Sequence, residues 1–293
     1  MDKKVQIGLQ RFALQIRIAM LEEFKALGFG HLGGALSLVE TLAALYGGVM
    51  RIDPSNPLWE CRDKLVCSKG HAGPALYAAL ALKGYFPYEE LKTLNEPGTN
   101  LPSHCDRTRT RGVDMTTGSL GQGASLAVGM ALGDMLKKKD SKTFLIIGDG
   151  EANEGQVWEA FMFAAAKKLS NLTVLIDCNK KQLDGYTADI LDMEDLGAKM
   201  NAFGFDTVRI DGNDVIEIYE VLVNRMKPGQ NPTAVILDTV KGKGIAEIEV
   251  KKDNHCIPVT VDECDRWLKY LYEKLSKLNT CLTEKEEHTG GLR

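Results

Sequence analysis

The sequence predicts an α/β fold, a mostly parallel sheet with helices covering both faces. Three observations carry that prediction. From residue 143 onward, short apolar runs alternate with segments of helical spacing, which is the pattern of βαβ units. The runs "TFLIIG", "LTVLID" and "TAVILDTV" are continuously apolar, as expected of strands buried on both faces. Each stops in small or polar residues, and ligands of an open parallel sheet bind at the C-terminal ends of its strands.

The elements follow in order. Residues 9–27 carry Phe12, Leu14, Ile16, Ile18, Met20, Leu21 and Phe24 at helical spacing, and Gly28 closes the helix. The Gly-rich break "GFGHLGGALS" leads into a second helical pattern over residues 36–50. "KLVCSKGH" reads as a short strand and loop, and "AGPALYAALALKGYF" as a helix whose small residues allow tight burial. "LPSHCDRTRTRGVDMTTGSLGQG" has many turn formers and little periodicity. It is a loop of the length that compact domains keep for function. An Ala/Gly-rich helix over residues 122–137 follows, its Lys triplet suited to a helix C-terminus. Then come a strand at "TFLIIG", a helix over residues 156–169 and a strand at "LTVLID". A strand at "DTVRID", a helix over residues 214–226 and a strand at "TAVILDTV" complete the series. We divide the chain into one domain, residues 1–273, and a tail, residues 274–293, that loses periodicity and is expected to be partly flexible.

Bulk properties narrow the function. The 293 residues are 44% hydrophobic and 26% charged, which allows one large globular domain. A net charge of −4 gives no footprint for nucleic acid or an anionic membrane. Seven cysteines without a C-x-x-C pair fit a reducing cytoplasm and no disulfide framework or zinc site. No signal-peptide pattern opens the chain, and no apolar run reaches the ~20 residues that span a bilayer. The expectation is a soluble cytoplasmic protein.

Candidate chemistry gathers at the strand ends. Asp149 follows the first of these strands and Asn179 follows the second, thirty residues on, so the two can converge. A carboxylate and an amide oxygen are hard ligands suited to Mg²⁺, which keeps phosphate oxygens and water in its octahedron. The carbonyl of Lys181 offers a third ligand, and Gly150 leaves room for its N–H to approach a phosphate. A helix starting near Glu154 brings a positive dipole end. We read a clamp for Mg²⁺ and diphosphate. His31, His71, His104 and His255 all lie in Gly-rich or irregular segments, where neutral imidazoles can donate to diphosphate and sugar hydroxyls and shuttle protons. His288, in the tail, is read as a surface residue.

The stretch "GDGEANEGQVWEAFMFAAAKKLSNLTVLIDCN" resembles the thiamine diphosphate motif, a GDG followed about thirty residues later by asparagine. "SKGHAGPALYAALALKGYF" and "TTGSLGQGASLAVGMALG" resemble transketolase in particular, and the similarity runs over about residues 8–260. The resemblance implies a diphosphate-binding domain of the thiamine diphosphate enzymes. It implies Mg²⁺, with Ca²⁺ or Mn²⁺ able to substitute, on Asp149, Asn179 and the Lys181 carbonyl. It assigns the diphosphate to Gly150, His71 and His255, and the thiamine rings to backbone at Gly118 and Leu120. His31, His104 and His255 would surround the donor ketose hydroxyls. Glu154 matches a glutamate that links the two active sites of the dimer, and Lys241 in "VKGKGI" a basic residue near the diphosphate, with Gln182 a weaker match. Three positions depart from the family pattern: Lys181 stands where an apolar residue is common, and Cys256 and Cys105 follow His255 and His104. Both cysteines read as small fillers, with oxidation sensitivity as the alternative.

No second βαβ series follows residue 260, whereas a full transketolase is roughly twice this length. The resemblance therefore implies the N-terminal subunit of a split transketolase, moving a two-carbon ketol unit from a ketose phosphate to an aldose phosphate. Its partner would be a separate C-terminal subunit carrying the pyrimidine-binding domain, in an α₂β₂ assembly. The Gly/Ala-rich helix over residues 122–135 would suit that interface or the domain's own sheet equally. Two alternatives stand beside this reading. One is a specialised ketol transferase acting on a branched pentose phosphate or a sulfonated sugar; the other is a non-catalytic subunit that binds diphosphate.

Overall fold

The computed structural model describes residues 1–225 and 229–289, with side chains described to Thr280. Seven strands are present among the described residues: β1 (Phe29–Gly30), β2 (Lys64–Cys67), β3 (Thr143–Gly148), β4 (Leu172–Cys178), β5 (Asp206–Asp211), β6 (Thr233–Asp238) and β7 (Ile257–Pro258). Strands β2 to β6 form one wholly parallel sheet in the order β2-β3-β4-β6-β5. β1 and β7 pair antiparallel beside it as a two-residue ribbon.

The apolar runs are continuous because the sheet separates two cores. Leu65, Phe144, Ile146, Leu175, Val235 and Leu237 face one core, which also holds helices Lys3–Leu27, Val39–Ala44, Gly73–Leu82, Val215–Arg225 and Val261–Thr289. The intervening residues Val66, Leu145, Ile147, Val174, Ile176, Ala234 and Ile236 face the other, with helices Gln122–Leu136, Gly155–Ala166 and Leu196–Ala202. Successive side chains of a strand point to opposite faces, so the central strands are apolar along most of their length, with polar residues such as Thr143 and Asp177 only near their ends. Each of these Val, Leu, Ile and Phe side chains contributes about 1.5–3 kcal/mol by leaving water.

Several elements differ from the sequence reading. The first helix begins at Lys3, capped by Asp2, and ends as expected at Gly28, whose φ of 84° lets its N–H reach the Phe24 carbonyl at 2.8 Å. The helical pattern over residues 36–50 is broken into helices Leu32–Leu36 and Val39–Ala44 and a wider turn over Leu45–Val49. The first break falls at Ser37, whose hydroxyl turns to the Gly34 carbonyl and to Asp177. Residues 32–49, apolar and long enough to cross a membrane, are 89% buried inside this fold; core burial accounts for their hydropathy. The helix Leu196–Ala202 is an addition to the sequence reading, because its seven residues carry no strong apolar period. The chain from Lys274, aperiodic in sequence, continues the last helix to Thr289; His288 lies outside the residues whose side chains are described.

In helix Gln122–Leu136 the small residues Gly123, Ala124, Ala127 and Ala131 pack inward, so tightly that a Cβ at Gly123 would lie 2.3 Å from the Ser68 hydroxyl. The larger Leu126, Met135 and Leu136 are exposed, as are Met162 and Phe163 on the neighbouring helix. Gly123 and the alanines thus serve the domain's own sheet, while Gly129 and Gly133 have open space beside them and the larger apolar side chains remain on the surface.

Candidate active site

Four adjacent strand ends build one cleft. Ser68, Lys69 and His71 follow β2, Asp149 and Gly150 follow β3, Asn179 follows β4, and Thr239 and Lys241 follow β6. Registry places Gly148 beside Asp177 and Cys178 beside Asp238, so these loops leave the sheet at the same height. The cleft has a volume of about 440 Å³. His71, Leu120, Asp149, Gly150, Glu154, Asn179, Lys181, Gln182, Lys241 and His255 line it, ten of the residues singled out in the sequence.

Asp149 is only 6% exposed and makes no ion pair among the described residues. Its oxygens accept N–H bonds from Gly150 at 2.8 Å and Lys180 at 2.6 Å. Burial, with the nearby Asp177 carboxylate, pushes its pKa up to about 6 despite those bonds. Asn179 is buried; its Nδ2 donates to Asp177 at 2.9 Å and its Oδ1 accepts from the Lys181 N–H at 3.1 Å. Lys241, 4% exposed, places Nζ 3.1 Å from Nδ1 of His255 and 3.4 Å from the carbonyls of Lys181 and Gln182. Burial, then the nearby Lys69, brings its pKa down to about 8. Gly150 sits under Gln182, whose Cβ would lie 2.9 Å from a Cβ there.

The four loop histidines, far apart in sequence, meet. His31 lies with ring centroids 5.6 Å from His71, 5.7 Å from His104 and 5.2 Å from His255, and His71 and His255 are 4.9 Å apart. All four are held below the ordinary imidazole pKa, by burial first; nearby positive charge adds to it at His31, His71 and His255, the last of which falls to about 4. They are therefore neutral at pH 7 and free to accept or donate a proton. Gly118 (φ 145°) backs this group: a Cβ there would lie 3.0 Å from the His104 ring. Glu154 caps helix Gly155–Ala166 without a side-chain capping bond and is exposed. Cys105 is buried and Cys256 exposed.

Three buried charges escaped the sequence reading. Lys69 and Asp177 form an ion pair with side chains 2% and 0% exposed. Glu151 accepts bonds from the Ser68 hydroxyl and the Gly121 N–H (2.8 Å) on one oxygen and from Gly148 N–H (3.3 Å) on the other, tying the loop of Gly118 and Leu120 to two strand ends. The available signal was a charge set directly against a buried strand, in "LTVLID", "KLVCSK" and "IIGDGE". Such a charge needs a partner or a ligand.

Among the described residues, no group of three or more His, Cys, Asp or Glu could hold a metal ion, so a cation here would need ligands from elsewhere. A hard divalent ion that brings diphosphate oxygens and water meets that condition. Asp149, a buried carboxylate without a counter-ion, is the residue that would gain from it. The residues fit Mg²⁺ with a diphosphate.

Residues 9–274 match the family described as "Transketolase, thiamine diphosphate binding domain". The chain belongs to the transketolase family. It is 53% identical, over 87% of its length and 93% of the relative's, to the 6-deoxy-6-sulfo-D-fructose transketolase subunit of Clostridium sp. (strain MSTE9). It is 36% identical to an apulose-4-phosphate transketolase subunit of Phocaeicola vulgatus, covering 85% of this chain and 88% of that one. Human transketolase matches at 32% identity over 98% of this chain but only 46% of its own. Among solved structures, a transketolase variant from Pichia stipitis superposes with a TM-score of 0.81 at 28% identity, covering 96% of this chain and 46% of that one. The Campylobacter jejuni transketolase gives 0.81 at 27%, covering 99% and 50%. The chain thus spans about half the length of these transketolases, and nearly all of the two subunit-sized relatives. The parallel sheet with helices on both faces is the fold of the transketolase N-terminal domain.

Proposed function

We propose that this chain is the cofactor-anchoring subunit of a two-subunit cytoplasmic transketolase that uses thiamine diphosphate and Mg²⁺, with a 6-deoxy-6-sulfo ketose as donor. One observation carries the reading: Asp149, Asn179, His71 and His255 line one cleft, with His31 and His104 packed against its histidines, in a chain that matches a transketolase subunit over 87% of its own length and 93% of the relative's. The 53% identity to a sulfo-fructose transketolase subunit favours the sulfonated donor over the ordinary pentose phosphates, and the 36% relative makes apulose 4-phosphate the second candidate.

The chemistry that thiamine diphosphate supplies when bound is an electron sink for cleaving the bond beside a ketose carbonyl. This chain's share is positional. Asp149, Asn179 and the Lys181 carbonyl would hold the divalent ion. The Gly150 N–H, His71, His255 and Lys241 would hold the diphosphate, and backbone at Gly118 and Leu120 the rings. His31, His104 and His255, neutral at pH 7, would take the proton of the donor's C3 hydroxyl as the C2–C3 bond breaks. They would return it to the acceptor's aldehyde oxygen as the new bond forms. A C-terminal subunit would complete the site, as α₂β₂. Exposed Leu126, Met162, Phe163, Leu183, Ile190 and Leu191, the last three on the cleft wall, support such a partner.

The test is ketol transfer with thiamine diphosphate and Mg²⁺, by this chain alone and with the second-half polypeptide encoded beside it. Donors would be 6-deoxy-6-sulfofructose, apulose 4-phosphate and xylulose 5-phosphate. We expect silence alone and turnover of the sulfo-sugar in the mixture. Preference for xylulose 5-phosphate would overturn the donor, and activity of the chain alone would overturn the need for a partner.

A further inference from the structure

Asp177 lies beneath the cleft, fully buried, and collects four donors. Its Oδ1 accepts from the Thr239 hydroxyl; its Oδ2 accepts from Lys69 Nζ, from the Ser37 hydroxyl at 2.7 Å and from Asn179 Nδ2 at 2.9 Å. Lys69 Nζ in turn donates to the Gly34 carbonyl at 2.9 Å. Every one of these partners sits close in sequence to a residue of the candidate site. Gly34 lies in, and Ser37 ends, the short helix that His31 precedes; Lys69 precedes His71 by two positions, and Thr239 precedes Lys241 by two. A Cβ at Gly34 would lie 3.1 Å from the His71 ring, so these segments are also in direct contact.

We propose that Asp177, with its charge balanced by Lys69, is the positioning residue of the metal site and acts through Asn179. An asparagine amide fills the same space whichever way it is turned; its hydrogen-bond partners alone decide which end faces a ligand. Asp177 is a carboxylate and can only accept, so the end of Asn179 facing it is the NH₂ group. The amide oxygen, which also accepts the Lys181 N–H at 3.1 Å and is turned the same way by it, keeps its remaining lone pair for a divalent cation. Without Lys69 that carboxylate would itself compete for the cation. With Lys69 and three further donors its lone pairs are engaged, and Asp149 is left as the carboxylate on offer. The inference rests on the function proposed above.

The experiment is a double-mutant cycle on the full chain assembled with its C-terminal partner. Mg²⁺ affinity is measured by calorimetry in the presence of thiamine diphosphate for wild type, Asp177→Asn, Asn179→Ala and the double variant. Partners of metal ligands typically contribute 10–100-fold to metal affinity. We expect each single variant to bind Mg²⁺ at least about 10-fold more weakly, and the double variant to match Asn179→Ala within about 2-fold. At saturating Mg²⁺, thiamine diphosphate affinity should return to near wild type, which a general loss of structure would not allow. Should Asp177→Asn fail to fold, Asp177→Leu with Lys69→Met removes the pair as an apolar swap, a change buried ion pairs often tolerate. The same loss, absent on the Asn179→Ala background, is expected there. Wild-type affinity in the Asp177 variants, or losses that multiply in the double variant, would overturn the proposal alone. A wild-type complex without Mg²⁺-dependent binding would overturn the functional reading together with it.

Discussion

Asp149 gives the sharpest measurable consequence of the cleft. In the metal-free protein its carboxyl titrates near pH 6 instead of 3.8, because burial and then the Asp177 charge oppose ionisation more than the Gly150 and Lys180 N–H groups favour it. The folded state therefore holds this proton more tightly than the unfolded chain. Stability falls as pH rises through the window from 3.8 to about 6, and levels off above it. At 1.36 kcal/mol per pH unit the whole displacement is worth roughly 3 kcal/mol, of which about 2–3 kcal/mol develops between pH 4 and 7.

The wild-type profile alone cannot reveal this, since His255, held down to about 4, drives stability upward with pH over nearly the same window. The informative quantity is the difference from Asp149→Asn. The amide has the same shape but cannot accept both N–H bonds, a cost of about 1–3 kcal/mol that does not change with pH and drops out of the slope. Urea unfolding with EDTA, from pH 4 to 7, stays below the titration of Lys241 near 8. The stability of Asp149→Asn relative to wild type should rise by about 2–3 kcal/mol across that range. Parallel profiles, within about 0.5 kcal/mol, would refute the claim that Asp149 is an uncompensated buried carboxylate. Mg²⁺ with thiamine diphosphate should then stabilise wild type increasingly above pH 6 and leave the variant unmoved.

Three further outcomes follow from the same geometry. In the reconstituted complex, the Asp149→Ala, Asn179→Ala double variant should lose ketol transfer by at least about 100-fold, and wild-type turnover would reject the site. Lys241→Gln should move the His255 pKa from about 4 part of the way back toward 6.5, since burial is the larger cause and remains; NMR titration of the imidazole reads this. Glu23 is fully buried with neither oxygen hydrogen-bonded, and burial raises its pKa well above 4.5. Glu23→Leu should stabilise by about 1–3 kcal/mol, more at pH 8 than at pH 4, with ketol transfer unchanged.

Much of this arrangement could be read from the sequence because it depends on local chemistry. A strand covered on both faces must be apolar along most of its length, so "TFLIIG" and "LTVLID" announced themselves, and Asp149 and Asn179 followed from where such strands end. Properties that depend on two distant segments were harder. Four histidines at positions 31, 71, 104 and 255 carry no spacing that predicts contact; the sheet order β2-β3-β4-β6-β5, the ribbon of β1 with β7 and the long loop bring them together. The break at Ser37 was hidden for the same reason, since the hydroxyl that interrupts the helix answers to a carboxylate 140 residues away. Lys69 and Asp177 read separately as polar residues at strand ends, and their burial is a property of the pair.

That pair also explains why two aspartates set 28 residues apart at neighbouring strand ends behave in opposite ways. Asp177 has Lys69 and three further donors, and its pKa is held below the ordinary value even though burial alone would raise it. Asp149, nearly as removed from water, has two backbone N–H groups and no ion pair among the described residues, and it is raised. The two carboxylates repel, so compensation of one leaves the unmet need on the other, facing the cleft. Lys69 and Lys241 also help keep His71 and His255 neutral. On the proposed function, this fixed positive charge would face the diphosphate, and the imidazoles that carry none would serve the sugar hydroxyl that gives up and regains a proton. The proposed function would thus use three separate environments, one for a cation, one for an anion and one for proton transfer. A ketol transfer anchored by a metal diphosphate needs those three environments together.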